Sequence, residues 1–160
     1  MSSLPPTAVR AIVESEWPGS VAWAGRHGWA VTLQPDELVL RGATYHPAVH
    51  RLVEFVAHLD DYKALPPAWR VVVPGTDDAA GPAHFPKPGP EASIFHGNLV
   101  LCAPWNRLAY KSVNDAGPHT DWGGPEGWLN LGGDHTTAHT LGDMLASIDR
   151  FLRLSPGMMG

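Results

Sequence analysis

The chain has 160 residues, with 11 lysines and arginines against 16 aspartates and glutamates and a formal net charge of −5. Chains of this length usually form one domain, so we expect a single domain over residues 1–160, and the acidic balance without a basic run disfavours nucleic acid and membrane partners. No apolar stretch approaches the ~18 residues of a membrane span and the start lacks a signal-peptide pattern, which predicts a cytoplasmic protein.

The first predicted element is a helix over residues 7–17, because apolar side chains recur there at helical spacing. Pro18-Gly19 is expected to end it. A β-hairpin is predicted next, since Trp29, Val31 and Leu33 alternate with small or polar residues and a turn over residues 34–37 leads into a second apolar run.

Two further strands are predicted to complete an antiparallel meander. From Leu52 onward the apolar residues occupy alternate positions, which is typical of a half-buried strand. A helix over residues 48–60 is the competing interpretation. We prefer the strand because the β-branched run that begins at Trp69 is suited to pair with it.

After these strands the sequence predicts irregular structure, and then one last helix. Residues 75–91 and 103–137 are rich in glycine and proline and are predicted as loops, with Gly97-Asn98 as a bend between them. Residues 138–154 predict an amphipathic helix that ends at Ser155-Pro156-Gly157. Its possible N-caps are Thr136, Thr137 and Thr140, and its apolar face consists of Leu141, Met144, Leu145, Ile148, Phe151 and Leu152.

Cys102 is the single cysteine of the chain, and it ends the apolar run that begins at Ile94. One cysteine forms no internal disulfide and excludes Cys-x-x-Cys zinc sites and dithiol redox chemistry. An accessible thiol at the end of a strand can act as a nucleophile, whereas a buried one is usually inert. Asn98, just upstream, is either an oxyanion donor or a turn residue.

Upstream of Cys102 stands the segment Tyr62-Lys63-Ala64-Leu65-Pro66-Pro67. Together with His96-Gly97-Asn98 and Leu101-Cys102-Ala103, it resembles the Tyr-Pro-x-x-Pro-Pro, His-Pro-Asn and active-cysteine motifs of the ubiquitin-conjugating family. Lys63 replaces the first proline, and Asn98 lies closer to the cysteine than in the family. The resemblance implies an α+β fold of the UBC-like type: an N-terminal helix, an antiparallel meander, a proline-rich crossover and a C-terminal amphipathic helix.

The resemblance also implies the activity. Cys102 would carry a ubiquitin-like protein as a thioester, receive it from an activating enzyme and pass it to a target lysine or other amine. As counterparts of the His-Pro-Asn motif, His96 and Asn98 would belong to the catalytic site, with His84 as a rival for the histidine. The N-terminal helix, with Arg10, Glu14 and Glu16, would bind the activating enzyme. No nucleotide, metal or other cofactor is expected in this chain. Such a short and divergent version is similar to bacterial conjugating-like proteins from operons implicated in phage defence.

The long loop after Cys102 contains candidates for a general base. His119 and Asp121, or Asp134 and His135, could orient or deprotonate an incoming amine, because a histidine or carboxylate can take up a proton near neutral pH. The alternative is that these residues form turns and helix caps. Tryptophans 105, 122 and 128 are predicted to pack the loop against the core.

Two other functions stay open at this stage. His135 and His139 form a His-x-x-x-His pair, which with His119, Asp121 or Cys102 could complete a tetrahedral metal site. Thr136 stands where a metalloprotease of this pattern has its glutamate, which argues against a metal-dependent hydrolase. The second alternative is a UBC-like module without catalysis, which would only bind a modifier or another partner.

Overall fold

The computed structural model describes residues 3–131 and 137–160. It has an α+β architecture in which two helices flank, in sequence, a four-stranded sheet. The regular elements are α1 (Pro6–His27), β1 (Ala30–Gln34), β2 (Val39–Tyr45), β3 (Leu52–His58), β4 (Ala68–Val72) and α2 (Leu141–Leu154), with 3-10 turns at Pro82–His84, Arg107–Ala109 and Pro125–Asn130.

The four strands form an antiparallel sheet in the order in which they follow along the chain. This confirms the predicted hairpin and meander. It also confirms the strand interpretation of β3, because Val53, Phe55 and Ala57 point to one face of the sheet and are fully buried in the main core. Val56 points to the other face and joins a small separate apolar cluster there.

Helix α1 is longer than predicted, and the expectation that Pro18-Gly19 ends it is wrong. A proline inside a helix removes one backbone hydrogen bond and costs ~3 kcal/mol. The buried residues before Pro18, Val9 and Val13, nevertheless lie on the same face as the buried residues after it, Ser20 and Ala24. Burial of this continuous face offsets the cost, and the helix ends instead where Gly28 takes the left-handed conformation, with φ 73°.

Helix α2 is close to its prediction. All six residues of the predicted apolar face are buried, and the hydroxyl oxygen of Thr140 accepts a hydrogen bond from the backbone N–H of Asp143 as an N-cap. The helix ends at Leu154, before Ser155. Of the other proposed caps, Thr137 precedes the helix, and Thr136 lies outside the described residues.

Between β4 and α2 the described chain is irregular apart from its 3-10 turns, yet it contributes large side chains to the core. Trp105, Tyr110 and Trp128 are almost fully buried there. The described part of the second predicted loop, residues 103–131, therefore packs against the core and brings the polar side chain of His119 next to Cys102, whereas residues 75–91 are mostly exposed, as expected for a surface loop. No helix in residues 3–131 or 137–160 has the length and apolar character needed to cross a bilayer.

Candidate active site

Cys102 lies immediately after a short pairing of Phe95 with Leu101. Its backbone N–H donates to the carbonyl of Ile94 (2.7 Å). The chain reverses between these residues through a turn in which Leu99 N donates to His96 O (2.9 Å) and Leu99 takes a φ of 64°. The bend predicted at Gly97-Asn98 is confirmed, and it leaves Cys102 with 8% of its surface exposed.

A fully buried amide holds the segment that carries the cysteine. Asn106 donates from Nδ2 to the carbonyl of Leu101 (2.8 Å). Its Oδ1 accepts from the backbone N–H of Trp69 in β4 (2.9 Å) and from that of Leu108 (3.1 Å). Buried polar groups of this kind fix backbone position, because each lost partner is costly. The sequence analysis did not identify Asn106. The one feature of the sequence that could have indicated its structural role is its position next to Trp105, inside a region predicted to be a loop.

The arginine that follows Asn106 ties the cysteine segment to the Pro66-Pro67 turn. Arg107 donates from its backbone N–H to Pro67 O and from Nε to Pro66 O, both at 2.9 Å. Its guanidinium also pairs with the carboxylate of Asp60 (2.9 Å). Two segments that we singled out in the sequence, the Tyr62–Pro67 turn and the cysteine segment, are thus held together by direct hydrogen bonds.

His119 reaches the cysteine because its backbone is locked into a bridge with residues 109–111. His119 N donates to Ala109 O (3.1 Å), and Lys111 N donates to His119 O (2.9 Å). The chain comes this close only because residue 117 is glycine: a Cβ built there would lie 2.8 Å from the carbonyl carbon and oxygen of Tyr110. Backbone contacts therefore determine where the imidazole stands.

Cys102, His119 and Asp121 form a hydrogen-bonded chain. The Sγ atom of Cys102 lies 2.7 Å from Nε2 of His119, and Nδ1 of His119 lies 2.9 Å from Oδ1 of Asp121. An ionised carboxylate only accepts hydrogen bonds, so Nδ1 carries a hydrogen and donates it to Asp121. Nε2 is then the nitrogen with the free lone pair, and it can accept the proton of the thiol.

Exposure changes along this chain of three residues. The side chain of His119 is 23% exposed and that of Asp121 is 73% exposed, whereas the thiol is largely covered. The imidazole also stacks on the indole of Trp122, with ring centroids 3.5 Å apart and an angle of 6° between the ring planes. The group therefore combines a largely buried thiol, an imidazole stacked on an indole and a carboxylate open to solvent.

The electrostatics of the site oppose a free thiolate. Burial, and to a smaller extent the negative charge of Asp121, raises the pKa of Cys102 to about 11. The pKa of Asp121 is lowered, mainly by its hydrogen bond from His119, so this carboxyl group is ionised at neutral pH. At neutral pH this thiol would need a neighbouring base to take its proton, and Nε2 of His119 is placed to accept it.

The turn residues predicted to be catalytic have other contacts. Asn98, an exposed residue, donates from Nδ2 to Ala116 O (2.8 Å), which agrees with the turn alternative. Its role as an oxyanion donor stays a prediction. His96 has Nε2 at 3.1 Å from the carbonyl of Ser93, to which it donates, and burial lowers its pKa. Its nearest link to the site is electrostatic, since a positive charge on His119 lowers the pKa of His96 further.

No protein-family model, curated protein or solved structure matches this chain. The resemblance to the ubiquitin-conjugating family therefore stays a prediction. What the chain can do has to be argued from the geometry of the site and from the layout of the domain.

Of the three residues predicted to bind an activating enzyme, one needs correction. Glu14 is exposed, and Arg10 forms an exposed ion pair with Asp36 (3.3 Å). Glu16 is different, because its carboxylate accepts hydrogen bonds from the hydroxyl of Tyr62 (2.8 Å) and from the backbone N–H of Leu141 (2.8 Å) and pairs with Lys63. Glu16 joins α1 to the Tyr62 turn and to the start of α2, so we remove it from the predicted partner surface.

The alternative metal site finds no counterpart in the part of the chain that is described. Residues 3–131 and 137–160 contain no group of three histidine, cysteine, aspartate or glutamate side chains placed to hold a metal ion. Asp134 and His135 lie outside these residues, whereas His139 is exposed and stands edge-on to Trp128, with centroids 6.1 Å apart. In the Cys102–His119–Asp121 chain, Nε2 of the imidazole faces the thiol and Nδ1 faces the carboxylate, and this arrangement is suited to proton transfer.

Proposed function

We propose that this protein is a ubiquitin-like-protein conjugating enzyme that carries its modifier as a thioester on Cys102. The observation that carries the proposal is the hydrogen-bonded chain from Cys102 through His119 to Asp121. A thiol in contact with a base that a third group orients is the usual arrangement of an activated nucleophile in covalent acyl transfer. The partners are then a ubiquitin-like protein, its activating enzyme and a target amine.

The loading step uses His119 as a base. Nε2 of His119 takes the proton from Cys102, and the sulfur attacks the activated carboxyl-terminal carbonyl that the activating enzyme presents. The bond from that carbonyl to its leaving group, a thiolate or AMP, then breaks, and a thioester on Cys102 remains. A thiolate leaving group recovers the proton from the imidazolium, whereas after loss of AMP the imidazolium releases its proton to solvent. Asp121 stabilises the imidazolium that exists between these steps.

The discharge step uses the same base in the same place. A lysine amine attacks the thioester carbonyl, and His119 accepts a proton from the nitrogen as the new amide bond forms. The carbon–sulfur bond breaks, and Cys102 leaves as a thiolate that takes the proton back from His119. Because general bases typically contribute ~10²–10⁴-fold in rate, the loss of His119 should slow both half-reactions.

The layout of the domain supports the same proposal. A helix, an antiparallel meander, a largely irregular crossover with the cysteine and a final amphipathic helix follow one another in the order that the UBC-like resemblance implies. Arg107 and Asn106 connect the cysteine segment to the Pro66-Pro67 turn and to β4. The two motifs that suggested the family are thus neighbours in space.

The test is a loading assay with a cognate activating enzyme, its ubiquitin-like protein and ATP. We expect an adduct heavier by one modifier that a thiol reductant removes. Cys102→Ser should give a reductant-stable oxyester or no adduct, and His119→Gln should load far more slowly. His58→Gln is the matched control, because His58 is an exposed histidine at the end of β3. A reductant-sensitive adduct on Cys102→Ser would refute the proposal, and a native protein that never loads would favour a module without catalysis.

A cysteine hydrolase is a second candidate, and the Cys102–His119–Asp121 chain itself favours it. Cysteine hydrolases activate their thiol through a histidine and a third orienting group in the same way. The two functions differ in the acceptor that takes the acyl group from Cys102. If the modifier is lost from Cys102 at the same rate with and without added lysine, water is the acceptor and the protein is a hydrolase. If lysine accelerates the loss of the modifier and an isopeptide forms, the result supports conjugation.

A further inference from the structure

The aromatic ring of Trp122 stacks on His119, and the proposed reaction does not account for this contact. The indole of Trp122 lies nearly parallel to the imidazole, with 3.5 Å between ring centroids. Trp122 also makes an edge-type contact with Tyr110, with ring centroids 5.4 Å apart and 64° between the ring planes. Tyr110 is itself buried and fixed by a hydrogen bond from its hydroxyl to Pro104 O (2.7 Å).

A stack of this geometry favours one protonation state of the histidine. The face of an indole carries partial negative charge, so it attracts a cation above it more strongly than a neutral ring. When His119 takes the proton of Cys102, the imidazole becomes such a cation. The other charges that act on His119 are the thiolate and the carboxylate of Asp121, which also favour the cation, and His96, which opposes it when protonated.

We propose that Trp122 is a positioning residue that favours the imidazolium–thiolate form of the His119–Cys102 pair through the face of its indole. The proton moves from Sγ to Nε2, the S–H electron pair stays on sulfur, and no other reactant is needed. This inference rests on Cys102 as the nucleophile and His119 as its base. It adds a residue that touches neither the modifier nor the amine and acts through the histidine alone.

The test measures the thiol in the isolated native protein, with no modifier present. The second-order rate constant for alkylation of Cys102 by iodoacetamide is determined across a pH series, and the thiolate is read from its ultraviolet absorbance. Cation–π attraction in proteins corresponds to a factor of about twofold to thirtyfold, so Trp122→Leu should lower the rate constant at neutral pH by that factor. The difference should shrink as pH rises and the thiol ionises without help from His119.

Two further variants separate the aromatic face from simple packing. Trp122→Phe keeps a π face and should retain most of the reactivity. Trp23→Leu is the matched control, because Trp23 also stacks on a histidine, His27, at 4.6 Å and 14°, but lies on α1. It should lose packing of a similar kind without changing the alkylation rate or its pH profile. Circular dichroism establishes that each variant is folded.

Three outcomes would overturn the inference. The first is an unchanged rate constant and thiolate absorbance in Trp122→Leu. The second is an equal loss in Trp122→Phe and Trp122→Leu, which would assign Trp122 to packing. The third is a loss in Trp122→Leu that persists at alkaline pH. None of these readings requires loading of a modifier, so a protein that alkylates as expected but does not load would refute the proposed conjugating function and leave the role of Trp122 intact.

Discussion

Gly117 offers a direct test of whether the backbone sets the position of the base. A Cβ at residue 117 would lie 2.8 Å from the carbonyl of Tyr110, and ordinary contacts begin at 3.4 Å, so Gly117→Ala must move the chain by about 3.4 − 2.8 = 0.6 Å. Because His119 is two residues away and is bonded to Ala109 and Lys111, much of this displacement should reach its imidazole.

The expected effect is a weaker contact between the base and the thiol. Adding the displacement to the 2.7 Å between Sγ and Nε2 gives about 3.3 Å if it acts along that line. Misplacements of about 1 Å can cost ~10²-fold in rate, so we expect Gly117→Ala to lower the alkylation rate of Cys102, and any thioester loading, by roughly tenfold. Neither reacting side chain is altered by the substitution.

The matched control is Gly97→Ala in the turn before the cysteine. A Cβ at Gly97 meets no atom within 4 Å, so this variant should react like the native protein. The assay is iodoacetamide alkylation followed by intact-mass spectrometry, with thermal unfolding to show that both variants are folded. Equal rates for Gly117→Ala, Gly97→Ala and the native protein would show that the bridge to residues 109–111 does not set the position of His119.

The remaining predictions concern stability and are checked by chemical denaturation. Glu16→Gln should lower the free energy of unfolding by ~1–3 kcal/mol because the carboxylate is partly buried and accepts several hydrogen bonds, whereas exposed Glu14→Gln should change it little; equal losses would contradict this. Asn106→Ala should cost at least as much, since it removes the partner of two buried backbone groups and of one partly buried group, and a neutral result would refute its structural role. Burial lowers the pKa of His46, so below pH ~6.5 the unfolded state binds this proton before the folded state does, and the free energy of unfolding decreases as the pH is lowered. His46→Gln should make this decrease less steep. His58 and His96 contribute to the decrease in the same direction, because burial lowers their pKa values too.

The elements that the sequence predicts well are those in which the hydrophobic period and the local signals agree. Helix α2 has six apolar residues on one face and Thr140 before it, and the strands of the meander alternate clearly. The predicted first helix is shorter than α1 because Pro18 is a strong local signal for the end of a helix. The opposing factor was burial of one face on both sides of the proline, which becomes visible only when the partner elements are known.

The sequence predicts a nucleophile at Cys102 and a possible base at His119 with Asp121, but it does not predict that the thiol and the imidazole are in contact. Between them lie 16 residues (119 − 102 − 1 = 16), and this connecting chain has no regular period. What joins them is the close approach at Gly117 and the backbone bridge at His119, neither of which follows from local propensity. Asn106 escaped notice for the same reason, since its partners in β4 and its own loop become neighbours only in the folded chain.

The position of all three proposed catalytic side chains on one irregular segment, residues 102–121, has an evolutionary consequence. Surface loops normally tolerate insertions and deletions. Here the pairing of His119 with residues 109–111 fixes the number of residues between the nucleophile and the base. Among relatives that keep the reaction, the interval between the cysteine and the histidine should therefore be constant in length.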